Sequence, residues 1–178
     1  FEIAIQLGAI AAVVLVYWRS FLDLATLKRI IVAFIPTAVV GYVLYKFAKS
    51  YLLGNEGVVV AALFIGGIVM LAIEYAVRNR EQNEGAVSDI TYKQSFLIGL
   101  AQAVAIIPGV SRSGASVMGG LMLGIPRTAI LVFSFLLAVP TLLAATAYDI
   151  LKNPGVFDGS NIGLLLTGSI AAFVVALI

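Results

Sequence analysis

Apolar residues run along this chain in stretches too long for one face of a soluble helix or strand, and short polar segments between them hold most of the charge. A helical run of about 20 apolar residues matches the hydrocarbon core of a bilayer. The pattern predicts such helices over 1–17, 30–45, 58–77, 128–148 and 162–178. Trp18-Arg19 closes the first run with an aromatic and basic pair suited to the membrane interface. A polar link, Arg19 to Arg29, leads to the second run, which ends at Lys46. Pro36 inside that run requires a neighbour to satisfy the carbonyl it frees.

Between the third and fourth runs the pattern changes. Arg78 to Tyr92 is the longest polar stretch and reads as an extramembrane loop. Lys93 to Ile107 is apolar but short for a span, and Pro108-Gly109 breaks it. Ser111-Arg112-Ser113-Gly114 follows, then a second short apolar piece to Leu123, then Gly124-Ile125-Pro126-Arg127. Two short helices around a polar break predict a re-entrant helix–loop–helix hairpin over about 94–124, its irregular backbone lining a cavity at membrane depth. The other reading is an ordinary span interrupted by an aqueous loop. Residues 1–45 and 133–178 share an order of run, link and run, which suggests an inverted repeat. The expected fold is thus all-α and polytopic, one transmembrane domain over 1–178.

Charge gives this domain an orientation. With a re-entrant hairpin, Arg19, Lys28, Arg29, Arg78, Arg80, Lys93 and Arg127 collect on one face, leaving Lys46, Lys49 and Lys152 on the other. The richer face is expected in the cytoplasm. Phe1 follows no initiator Met or basic leader and Ile178 stops within an apolar run, so the chain reads as the interior of a longer protein. The composition agrees with the membrane reading: 62% hydrophobic, 11% charged, with a mean hydropathy of +1.10. A soluble domain needs more polar surface. A net charge of +2 spread over helix ends argues against a nucleic-acid partner. Without Cys there is no thiolate chemistry, and without His the commonest general base is missing.

Arg112 carries the candidate chemistry. A charge among apolar helices costs at least about 2.5–3.5 kcal/mol and normally faces a cavity with a partner. Gly109, Ser111, Ser113, Gly114 and Ser116 surround it. Glycines let backbone N–H groups approach an anion, serine hydroxyls add donors, and a helix starting after Gly114 would aim its positive end there. A guanidinium matches a phosphate bidentately. Together these describe an oxyanion or phosphate cradle. The blander readings are a helix cap or an ion pair, for instance with Glu2. Other motifs fail. Ser113 stands where a nucleophile elbow needs its last glycine, and no Walker lysine follows the glycines. A carrier or flippase for an anionic lipid fits broken helices and a buried arginine equally well on physics alone.

The stretch from Pro108 through Ser116, PGVSRSGAS, resembles the arginine motif of the bacterial undecaprenyl-diphosphate phosphatases, the bacitracin-resistance family. Phe1-Glu2 with Gln6-Leu7-Gly8, Thr91-Tyr92-Lys93-Gln94, Gln102 and Phe133 to Pro140 continue the resemblance in the family order. Ser116 stands where that family usually has Thr, keeping the hydroxyl. The resemblance implies a phosphatase acting on a polyprenyl diphosphate lipid, with Arg112 and Ser111 at the reaction and Gly109, Ser113, Gly114 and Ser116 holding the substrate. It also implies a divalent cation, Mg2+ or Ca2+, bound by a glutamate-rich and histidine-containing block that should precede Phe1. Glu2 is the one carboxylate here that could join that cation, and the 178 residues alone are expected to be inactive. Glu74, Asp149 and Asp158 read as solvated flanks, the Gly66-Gly67 and Gly119-Gly120 pairs as sites of close helix packing, and a homodimer is left open.

Overall fold

The computed structural model describes residues 2–52, 54–78, 85–152 and 162–178. Every regular element among them is helical: α1 (Glu2–Val16), α2 (Trp18–Leu22), α3 (Leu24–Phe47), α4 (Glu56–Val77), α5 (Tyr92–Ala103), α6 (Arg112–Met122), α7 (Arg127–Lys152) and α8 (Ile162–Leu177). Three stretches, Leu24–Tyr45, Glu56–Val77 and Arg127–Asp149, are long and apolar enough to cross a bilayer. The protein is an all-α polytopic membrane protein. Two details differ from the sequence reading. The polar link from Arg19 to Arg29 is largely helical, because α2 fills its start and α3 already begins at Leu24. Also, α1 has only 15 residues, about 22 Å of helix.

Two compact units form, Ala25–Ser134 and Phe1–Leu24 with Phe135–Ile178. In the second, α1 and α8 pack backbone to backbone. A Cβ at Gly8 would strike the Ser169 carbonyl, and one at Gly168 would lie 2.8 Å from Ile5 Cδ1. Small residues allow this approach where no hydrophobic drive between helices exists.

In the first unit, α5 and α6 form a helical hairpin. Thr91 and Gln94 close a capping box at the start of α5: Gln94 N donates to Thr91 Oγ1 (3.2 Å) and Thr91 N to Gln94 Oε1 (2.9 Å). A 3-10 turn, Val104–Ile106, extends this arm. At the far end of α6, Ile125 N donates to Gly120 O and Gly124 N to Leu121 O, both at 3.1 Å. Gly124 has φ +76°. This is a Schellman stop, which needs a residue free to adopt a left-handed backbone. Gln94 Nε2 then donates to Leu123 O at 3.3 Å, so the start of one arm meets the end of the other.

The base of the hairpin joins three longer helices. Arg29, in the first turns of α3, donates from Nε to Ile90 O, and its guanidinium lies 5.3 Å from the Tyr92 ring centroid. Arg127 at the start of α7 pairs with Glu74 near the end of α4 at 2.7 Å. A Cβ at Gly85 would lie 2.6 Å from the Pro126 ring. Lys28, Arg29, Arg78, Lys93 and Arg127 therefore stand on helix ends that these contacts gather at one end of the unit. Glu74, expected as a solvated flank, is 44% exposed and is also ion-paired. Thr37, next to Pro36, donates to Gly99 O across the α3–α5 contact at 2.8 Å, and Gly99 is so close to Ala33 O that no Cβ fits.

Candidate functional site

The turn at the hairpin tip begins with backbone chemistry that few residues tolerate. Gly109 has φ +94°, and a Cβ there would lie 2.5 Å from Val59 O. Only glycine meets both demands, and its bare backbone seats the turn on α4 near that helix's first turn. The helix then starts earlier than expected. Ser111 is the N-cap, its Oγ accepting from Gly114 N at 3.1 Å, and Arg112 is the first helical residue. A serine cap with its backbone extended wins over the glycine three positions on, because the hydroxyl satisfies an N–H that the first turn leaves without an acceptor. Gly114 is thus a buried member of the first turn.

The cradle residues divide into two groups. Gly109, Ser111, Arg112 and Ser113 gather at the tip; both serines are exposed, with their hydroxyls 3.4 Å apart. The Arg112 guanidinium has neither a hydrogen-bond nor an ion-pair partner among the described residues. The N–H groups of Arg112 and Ser113 find no acceptor within the helix. Ser116 is placed behind them. It is fully buried, and its Oγ donates at 2.8 Å to Gln102 Oε1 and at 3.0 Å to the Arg112 carbonyl. Gly114 lies behind the tip too, where a Cβ would be 3.3 Å from Met70 Sδ.

These contacts set the depth of Arg112. Gly109 is level with Val59 and Gly114 reaches Met70, on a helix running from Glu56 to Val77. Arg112 therefore lies between these two levels, on a turn packed against a helix long enough to cross the membrane. The arms of the hairpin, 12 and 11 residues, are about 18 and 16 Å long, short of the roughly 30 Å core. A guanidinium at that depth needs an anion or water beside it. Among what surrounds it, hydroxyls and N–H groups donate, and a phosphate accepts from all of them.

The divalent cation implied by resemblance finds no ligand set here. Among the described residues no group of three His, Cys, Asp or Glu stands together. The side chain of Glu2, the one candidate carboxylate, lies outside the described residues, as does Asp158. What this part of the molecule offers is a guanidinium and a set of hydrogen-bond donors. Two glycine pairs behave differently from each other. A Cβ at Gly119 would be 2.6 Å from Ala101 Cβ, and one at Gly120 would strike Ile130, so both serve close packing. Among the described residues, Gly66 and Gly67 meet nothing within 4 Å, against expectation. Sequence reasoning missed the strut from Gln102 to Ser116 and the tie from Gln94 to Leu123. The T-x-x-Q spacing at Thr91 was a visible sign of the cap, but nothing local pointed to either long-range bond.

Comparison with known proteins adds an independent observation. The family model described as bacitracin resistance protein BacA matches residues 1–178. An undecaprenyl-diphosphatase of Sulfurihydrogenibium sp. is 46% identical over 177 residues, 99% of this chain and 69% of that protein. Those of Aquifex aeolicus and Bdellovibrio bacteriovorus are 44% and 45% identical, each covering all of this chain and 70% and 68% of their own lengths.

Proposed function

Since the chain belongs to the bacitracin resistance protein BacA family, we propose that it acts as an undecaprenyl-diphosphate phosphatase whose diphosphate is held at the turn from Gly109 to Ser113. The enzyme converts undecaprenyl diphosphate to undecaprenyl phosphate and inorganic phosphate, which returns the lipid carrier to cell-wall synthesis and underlies bacitracin resistance. The observation that carries the site is Arg112, its guanidinium unpartnered among the described residues, first in its helix, and on a turn packed against a helix long enough to cross a membrane.

In the reaction, water attacks the terminal phosphorus, the bond to the bridging oxygen breaks, and the lipid monophosphate leaves. Negative charge on the phosphoryl oxygens must be neutralised as this happens. Arg112 supplies a bidentate fork, and the free N–H groups of Arg112 and Ser113 add fixed dipoles aimed at the same place. Ser111 and Ser113 orient the head group from the open side of the turn. The polyprenyl tail, being apolar, stays among the helices.

The side of the membrane follows from charge. The hairpin base carries the basic residues and the tip lies toward the start of α4, at the opposite end. With the basic end in the cytoplasm of a bacterial inner membrane, the tip faces outward. The test is phosphate release from undecaprenyl diphosphate in detergent. Arg112→Lys keeps the charge but loses the fork, and turnover should fall at least about a hundredfold, close to 3 kcal/mol. Near-wild-type turnover in that variant would remove Arg112 from the site. A carrier, which a broken hairpin alone would also allow, releases no phosphate at all.

A further inference from the structure

We propose that Gln102 is a positioning residue for Arg112, acting through Ser116; this rests on the reading of Arg112 as the diphosphate-binding group. Gln102 and Ser116 belong to different arms of the hairpin and are 2% and 0% exposed. Their side chains meet at 2.8 Å, and the same Ser116 Oγ lies 3.0 Å from the carbonyl of Arg112. One buried hydroxyl thus connects the arm that does not hold the arginine to the backbone of the residue that is the arginine.

The reason for a polar pair at this place lies in the rest of the seam. Where α5 and α6 touch at Ala101 and Gly119, a methyl faces a bare backbone. Such a smooth contact brings the arms close but offers little against rotation or sliding of one past the other. An apolar pair would fill the space at lower desolvation cost, whereas a buried hydroxyl and amide are favourable only in the register where they bond. The hydrogen bond therefore selects one register of α6 on α5. Arg112, Ser116 and Gly119 are spaced i, i+4 and i+7, so they share one stripe of α6. Fixing the azimuth of Ser116 fixes that of Arg112 one turn earlier. Arg112 has no partner of its own among the described residues, so this support from behind is what holds its direction before substrate arrives.

The experiment measures phosphate release by the full-length protein in detergent, comparing Gln102→Met, Ser116→Ala and their combination in two backgrounds. Gln102→Met keeps the length of the side chain and removes its acceptor. With Arg112 present, each single change should lower kcat/KM about tenfold or more, and the double variant should be no worse than either single. In the Arg112→Lys background, where the fork is already lost, Gln102→Met should cost less than about twofold. A packing role would lower activity by the same factor in both backgrounds, and that result overturns the proposal. So does a double variant whose loss is the product of the singles. If Gln102→Met fails to purify as a folded protein, Ser116→Ala, which deletes a single oxygen, gives the same two-background comparison. Arg112→Lys retaining near-wild-type activity would instead overturn the reading beneath, and this proposal with it.

Discussion

At the scale of single residues, the proposed site depends on two side chains and one missing side chain. Arg112 supplies the charge and Ser111 the cap, but Gly109 decides whether either is in place. An alanine there would occupy a left-handed conformation disfavoured by about 1–2 kcal/mol and would press its Cβ to 2.5 Å from Val59 O. Gly109→Ala is expected to lower kcat/KM at least about tenfold, since the turn must lift off α4. Gly66→Ala is the control, because its Cβ meets nothing within 4 Å and alanine is the better helix former. Steady-state phosphate release for both variants checks this, and equal activity in the two would refute the seating of the turn. Arg112 stood out in the sequence as a candidate because a charge among apolar helices is costly unless something answers it. The division of the serines did not. Ser111, Ser113 and Ser116 look alike in the chain, yet two are exposed at the tip and one is a buried strut.

At the scale of elements, the hairpin is the feature that places the site. Its arms were legible as apolar segments too short to span, and Pro108-Gly109 marked the break. The hairpin's base needs Gln94, Arg29 and Glu74, each bonded to a residue 29 to 61 positions away, and no local pattern encodes such pairs. The contacts predict a topology. Single cysteines replacing Lys93 and Arg127 should react with a membrane-impermeant thiol reagent from one face only, and one replacing Asn55, before α4, from the other face. The 178 residues hold no native Cys to confuse the labelling. Reaction of the first two from opposite faces would show that the hairpin crosses the bilayer.

At the scale of the whole molecule, the basic helix ends and the turn at the hairpin tip lie at different ends of the unit that contains them. The Arg127–Glu74 pair at the basic end is about a third to a half exposed, so its contribution is small, about 0.2–1 kcal/mol. Glu74→Gln should lower thermal stability slightly at low salt, and the difference should vanish near 1 M salt, where screening is nearly complete. A large loss, persisting in salt, would mean that the pair is far more shielded than its exposure indicates. The membrane class and the helical fold were determined by the sequence alone, and Arg112 stood out there as a candidate, because hydrocarbon imposes its length and polarity on every segment whatever its neighbours are. Tertiary structure decided which serines are exposed at the turn, where α6 begins and what lies behind Arg112. Those follow from close approaches such as Gly109 on Val59 and from the bond between Gln102 and Ser116, and such contacts exist only after distant segments have come together.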